Sequence, residues 1–284
     1  MKLAFSTLGC PNWDLDQIVE AAHLHGYQGI ELRALGGELD LLSRSEFQKN
    51  ETERTRRRLE AEGVSICCVD TSCRFDSTDP SERRANVEVA VKHAELAMTL
   101  GAPLIRVFPD KIQAGATRDE TRDNIASCLR DVAQLSPPSV LIGLETHGDF
   151  ARGNFAAEIV RMADDPAVAL IWDIANSTAA GDSIVDAARE IGPYLAHVHL
   201  RDARAVKGEE HWLPVLAGAG DVSFDEAVKA LNNLDYDGYV SFEWEKYWHP
   251  EIEEPEVALP DFVRAMNSVA RGIGEDHRSS STGR

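Results

Sequence analysis

The chain has 284 residues, with 48 acidic against 29 basic side chains and a formal charge of −19; 43% of its residues are hydrophobic and 27% charged. This surplus of acids repels phosphate backbones and anionic membrane surfaces, which argues against electrostatic nucleic-acid binding. The apolar fraction suffices for a substantial core and excludes a disordered or collagen-like chain.

Short apolar runs alternate with longer amphipathic stretches from one end to the other. Residues 3–6 read as a first strand: the run is too short for a signal-peptide core, and Pro11-Asn12-Trp13-Asp14 follows at once. Further strands are predicted at 29–33, 64–69, 103–108, 140–145, 168–173, 195–200 and 239–243. Helices are predicted at 14–25, 51–61, 81–100, 118–135, 151–163, 181–191, 223–232 and 255–270, with apolar residues spaced by three and four, as in Ile18, Val19 and Ala22. Boundary residues agree. Ser81 with Glu82 opens one helix, Gly101 with Pro103 closes it, and Ser223 with Glu226 forms a capping box.

Eight β-then-α units with near-continuous apolar strands imply a parallel sheet covered by helices, and that count favours a single (β/α)8 TIM barrel over an open doubly wound sheet. Residues 1–272 are expected to form the barrel and the polar residues 273–284 a disordered tail. No stretch approaches the roughly 18 apolar residues of a membrane span. Cys10, Cys67, Cys68, Cys73 and Cys128 are odd in number and lack paired zinc spacing, so a cytoplasmic protein without a disulfide framework is expected.

In such a barrel the C-terminal ends of the strands line the active-site mouth. Four late strands end in groups able to bind metal: Glu145, Asp173, the pair His197 and His199, and Glu243 with Glu245 two residues on. Gathering three carboxylates on runs this apolar is prohibitive without a cation, and a divalent metal resolves the conflict. Three carboxylates and one imidazole make an oxygen-rich site suited to Mn²⁺ or Mg²⁺, with Co²⁺ admitted by the imidazole; a thiolate-rich zinc site is excluded. Salt bridges to arginines at the barrel top, such as Arg106 and Arg201, are the structural alternative. Strand residues i and i+2 share a face. Depth favours His199 over His197, since it lies nearer the mouth, but leaves Glu243 and Glu245 open.

Six phrases occur in order: 26–33 (GYQGIELR), 143–148 (GLETHG), 172–176 (WDIAN), 197–202 (HVHLRD), 218–224 (GAGDVSF) and 235–243 (DYDGYVSFE). Together they span nearly the whole chain, which resembles the xylose isomerase-like TIM-barrel superfamily of sugar phosphate isomerases and epimerases, ketose 3-epimerases, inosose and 3-dehydroshikimate dehydratases, and endonuclease IV. The resemblance implies one divalent metal, Mn²⁺ favoured, held by Glu145, Asp173, His199 and Glu243. It further implies that Glu145 and Glu243 remove and return a proton of a sugar or polyol-derived ketone through an enediolate. Glu245 is then a neighbour for substrate or metal. The implied activity is isomerisation or epimerisation. The alternative is a lyase: a dehydratase of the inosose or 3-dehydroshikimate type, or a C-glycoside-cleaving enzyme. Asn176 and Phe108-Pro109 stand where endonuclease IV carries additional histidines, and the third strand ends in Asp70, so a nuclease is disfavoured. A metal-free binding module on the same barrel is the remaining reading.

Other residues are assigned around this centre. His147, on the face of Glu145, is expected to bind a substrate hydroxyl, with helix capping as its structural alternative. Asn176 is a substrate residue or a helix start. Arg106 either neutralises an anionic substrate or pairs with Glu145 or Glu31. Trp248, with Trp212 and His249, lies in the late loops, where aromatic rings stack on sugars. No basic run forms a phosphate clamp, because Arg54, Arg56, Arg57 and Arg58 alternate with Glu51, Glu53 and Glu60 on one helix as a solvated face. The expected partner is therefore an unphosphorylated sugar or polyol-derived small molecule, with no nucleic acid and no membrane; a homo-oligomer is compatible with this reading.

Overall fold

The computed structural model describes residues 1–48, 50–207 and 212–281, with 274–281 described by backbone alone. Eight parallel strands close a barrel: β1 (Lys2–Ser6), β2 (Gly29–Leu32), β3 (Ser65–Arg74), β4 (Leu104–Phe108), β5 (Leu141–Glu145), β6 (Val168–Asp173), β7 (Leu195–His199) and, after a hairpin of β8 (Asp202–Arg204) and β9 (Leu213–Val215), β10 (Tyr239–Phe242). The strands run β1-β10-β7-β6-β5-β4-β3-β2 around the barrel, and β1 closes it by pairing with both β10 and β2. This is a (β/α)8 TIM barrel.

Helices α1 (Leu15–His25), α2 (Asn50–Ala61), α3 (Pro80–Leu100), α4 (Arg118–Leu135), α5 (Gly153–Ala163), α6 (Ile174–Ala179), α7 (Ile184–Ile191), α8 (Phe224–Asn233) and α9 (Pro255–Ser281) occupy the connections and follow the last strand. Local sequence fixes their ends. Asp14 and Gln17 exchange side-chain and backbone hydrogen bonds as a capping box for α1, and Gly26, at φ 79°, ends that helix in the left-handed conformation that glycine adopts without steric cost. No helix of the described residues is long and apolar enough to cross a membrane.

The barrel interior changes character along its axis. Cys68, Leu104 and Ile171 form a small apolar layer inside it. Gly143 belongs to that layer because a Cβ there would lie 2.7 Å from Ile171 Cγ1. Two residues further along the same face of their strands, Asp70, Arg106, Glu145 and Asp173 replace apolar side chains with charged ones, all buried. The polar half lies at the C-terminal ends of the strands, where the loops converge.

The structure departs from the sequence reading in five places, the first being the β8–β9 hairpin, which no predicted strand covers. Strand β3 continues through Thr71-Ser72-Cys73 to Arg74 and pairs with Phe108 of β4. Asp79 caps α3 with Pro80 in its first turn, so the helix opens before Ser81. The predicted helix 181–191 starts only at Ile184, capped by Ser183, and the short α6 precedes it. Helix α9 runs on to Ser281, through most of the segment read as a tail; residues 282–284 lie outside the described residues.

Candidate active site

Glu145 ends β5, Asp173 ends β6, His199 ends β7, and Glu243 directly follows β10. One ligand-type atom from each of these four buried residues lies within 4.8 Å of all the others. Asp173 has two tasks. Its Oδ1 accepts from Asn176 N at 2.8 Å and caps α6, while Oδ2 lies 3.6 Å from Arg201 Nη2 and has no hydrogen-bond partner among the described residues. The structural alternative foreseen for these groups, salt bridges to Arg106 and Arg201, is present as well: Arg201 pairs with Asp173 and Arg106 with Glu145 and Glu243.

His199 is held from behind. Its Nε2 lies 2.9 Å from Glu31 Oε2, which also takes His197 Nε2 at 2.7 Å. An ionised carboxylate only accepts, so His199 donates from Nε2 and presents Nδ1 to the site. That Nδ1 faces Glu243 Oε2 at 3.3 Å and Glu145 Oε2 at 3.9 Å, with no hydrogen-bond geometry to either. Burial opposes the charged ring, yet the Glu31 and Glu243 carboxylates hold the His199 pKa well above its usual value. Arg106 joins the two glutamates: its Nη1 donates to Glu145 Oε2 at 2.9 Å and to Glu243 Oε1 at 3.0 Å, and Asp70 lies 3.6 Å from its Nη2. The two glutamates diverge in acidity. Burial and the neighbouring Glu243 push the Glu145 pKa up, whereas His199 and Arg106 outweigh burial and hold Glu243 at about 2. Burial raises Asp173 to about 7 despite Arg201.

This arrangement fits a divalent cation. Four buried carboxylates, Asp70, Glu145, Asp173 and Glu243, meet the guanidiniums of Arg106 and Arg201, and a fifth, Glu31, meets His197 and His199. Asp173 Oδ2 and His199 Nδ1 are buried atoms with ion-pair contacts but no hydrogen bond among the described residues, and a buried polar atom is costly unless something satisfies it. Three carboxylates with one imidazole are a donor set for Mn²⁺, Mg²⁺ or Co²⁺.

A cavity of about 310 Å³ opens over these groups, and Arg106, Glu145, His147, Asn176, Glu243, Glu245 and Trp248 all line it. His147 packs on Phe108, lies 3.4 Å from Asp110 Oδ1 and caps nothing with its side chain. Asn176 Nδ2 donates to Thr146 O at 3.2 Å and reaches Glu145 Oε1 at 3.4 Å, while its Oδ1 accepts from Arg201. Glu245 stands nearer the rim, 3.3 Å from Arg201 Nη2. Trp248 is 52% exposed at the cavity edge. Trp212 packs instead against the hydrophobic core. His249 sits beside Glu245 and Glu251.

Three buried residues here were not proposed as site members from the sequence: Glu31, Asp70 and Arg33. The first two carry the same signal as the late strands, a carboxylate at the end of an apolar strand, on β2 and β3. Arg33 follows β2 directly, and its guanidinium lines the cavity.

The model of the xylose isomerase-like TIM barrel family matches residues 19–266, and the chain belongs to that family. Among known relatives, the uncharacterized protein MJ1311 of Methanocaldococcus jannaschii is 28% identical over 196 residues, covering 65% of this chain and 64% of that protein. The chain thus spans somewhat under two thirds of that relative's length. An inosose dehydratase of Bacillus thuringiensis is 24% identical over 291 residues, covering 90% of this chain and 91% of the relative. Among solved structures, a D-tagatose 3-epimerase-like protein superposes with a TM-score of 0.77 at 19% identity, covering 97% of this chain and 99% of its own. An IolI protein with a bound zinc atom gives a TM-score of 0.74 at 19% identity, covering 95% and 96%. At these identities the structural likeness is one of fold.

Proposed function

We propose that the chain is a divalent-metal-dependent isomerase or epimerase that transfers a proton beside the carbonyl of a sugar or polyol-derived ketone. The convergence of Glu145, Asp173, His199 and Glu243, with Asp173 Oδ2 and His199 Nδ1 lacking hydrogen bonds among the described residues, carries this reading. These four would hold the ion, Mn²⁺ favoured by the oxygen-rich set. When bound, the ion polarises the carbonyl and acidifies the neighbouring C–H. Glu145 and Glu243 take and return the proton, each positioned by the same Arg106 nitrogen. The Arg106 guanidinium is committed to carboxylates, so it acts through them instead of binding substrate itself. Asn176 steadies Glu145, His147 and Glu245 meet substrate hydroxyls, and Trp248 stacks on the sugar at the cavity edge. The free, buried state of all five cysteines supports a reducing cytoplasmic location.

The end-to-end match to an inosose dehydratase supports a second reading: removal of the same proton followed by loss of a β-hydroxyl. Incubation of the Mn²⁺-loaded protein with ketoses, inososes and keto sugar acids in D₂O separates the two. Deuterium beside the carbonyl without loss of water is the expected result, and an absorbing enone identifies the dehydratase. Glu145→Gln and Glu243→Gln should each lower exchange by about 10² to 10⁴-fold. Neither exchange nor enone with any compound overturns the proposal, and wild-type exchange in Glu243→Gln with loss in Glu245→Gln shows the base to be the other glutamate.

A further inference from the structure

Arg33 differs from the other buried arginines near the site. Arg106 and Arg201 are each paired with carboxylates. Arg33, only 3% exposed, has no ion-pair partner among the described residues. Its Nη2 donates to Ser72 Oγ at 2.8 Å, and its Nη1 is buried without a partner while the side chain lines the cavity. Burial, aided by the like charge of Arg106, lowers its pKa to about 10, so it stays charged at neutral pH. A buried guanidinium without a contact ion pair is costly, and the anions near it are engaged by other cations: Asp70, Glu145 and Glu243 by Arg106, and Asp110 by Arg74 and His147. Ser72, Arg74 and Lys111 line the same cavity, with Arg74 paired to Asp110.

We propose that the substrate carries an oxyanion, and that Arg33 with Ser72 receives it as a carboxylate: the substrate class is a keto sugar acid, not a neutral sugar. This rests on the proposed function and narrows its substrate. A planar guanidinium with a free donor edge matches a carboxylate, whose hydrogen bonds to a charged donor are the stronger kind. A phosphate has three oxygens to satisfy and would need Arg74 and Lys111, both exposed.

The test is calorimetric binding to the Mn²⁺-loaded protein of matched acid and neutral pairs: glucuronate and glucose, galacturonate and galactose, 5-ketogluconate and fructose, with fructose 6-phosphate as the phosphate probe. At least one acid should bind tenfold or more tightly than its neutral partner, and that preference should fall at least tenfold in Arg33→Met. If Arg33→Met does not fold, Arg33→Lys and Ser72→Ala replace it, and each should weaken the preference several-fold. No preference for any acid, or a preference untouched by these substitutions, overturns the proposal. So does a preference confined to fructose 6-phosphate that disappears in Arg74→Gln/Lys111→Gln and survives in Arg33→Met. Binding is read without turnover. Failure of deuterium exchange therefore sinks the proposed reaction and leaves the acid preference standing, while exchange confined to neutral ketoses does the reverse.

Discussion

Glu31 reaches across the barrel from β2 to hold His199 on β7, its Oε2 lying 2.9 Å from His199 Nε2. That contact fixes the tautomer and turns Nδ1 toward Glu243 and Glu145. Carboxylates behind a ligating histidine raise its basicity and orient it, and their loss commonly lowers metal affinity 10 to 100-fold. Glu31→Gln should therefore weaken Mn²⁺ binding by about that factor, measured by competition with a chelating dye, and leave the protein folded. Unchanged affinity would show that His199 needs no such support.

Asp202, fully buried, accepts four backbone N–H groups: Ala203 at 2.9 Å, Gly218 at 2.8 Å, Gly220 at 2.9 Å and Val222 at 3.1 Å. It ties the loop before α8 to the start of the β8–β9 hairpin. Asp202→Ala strips the partner from all four. With each abandoned buried donor costing about 1–3 kcal/mol and some recovered by water, a loss of about 3 kcal/mol or more is expected in urea unfolding. A loss below 1 kcal/mol would mean the loop holds its shape without the carboxylate.

Gly148 sits at φ 57°, and a Cβ there would press well inside van der Waals contact with Asp110 O. Both the left-handed backbone and the close approach require glycine. Gly148→Ala should cost about 2 kcal/mol or more, since the conformation alone costs about 1–2 kcal/mol. It should also displace Asp110, whose carboxylate lies 3.4 Å from His147. Thermal melting reads the first effect. Weaker substrate binding read by calorimetry, with Mn²⁺ affinity retained, reads the second; a melting point equal to wild type rejects both.

His93 is buried on α3, where its Nδ1 lies 2.9 Å from Val89 O. Burial lowers its pKa, aided by Arg33 and opposed by the Val89 carbonyl and Asp40. The folded chain therefore takes up this proton less readily than the unfolded one. Stability from His93 is present above the unfolded pKa of about 6.5 and is lost as pH falls below it, by at most about 1.4 kcal/mol per pH unit. Between pH 7 and pH 5 the wild type should lose more unfolding free energy than His93→Gln. Parallel pH profiles would show that His93 does not contribute.

The elements most legible in the sequence are those whose burial leaves a simple mark. Strands β4 to β7 and β10 are mostly apolar, with at most one polar residue inside each, and each predicted range lies within one residue of the observed one at either end. Strand β3 is longer than its apolar run because its last residues, Thr71 to Arg74, are mostly polar and rejoin β4 only after a register shift, at Arg74 and Phe108. The β8–β9 hairpin was missed because three-residue strands carry no periodicity. In the site, Glu145, Asp173, His199 and Glu243 converge because consecutive strands deliver them to one layer. Glu31 and Asp70 lie on earlier strands and Arg33 directly after β2, and their closeness to the late strands follows from closure of the barrel, which no local pattern encodes.

Arg106 bears on the order of events in assembly. Its guanidinium occupies the space between Glu145, Glu243 and Asp70, so the folded chain carries an internal cation of its own before any metal arrives. A zinc-finger-like chain collapses only around its ion; this one supplies an arginine in the same electrostatic place. Chelation should leave a folded apoprotein whose melting point drops only by the binding linkage. Newly made chain can then fold first and acquire its metal afterwards, chosen by a finished cavity.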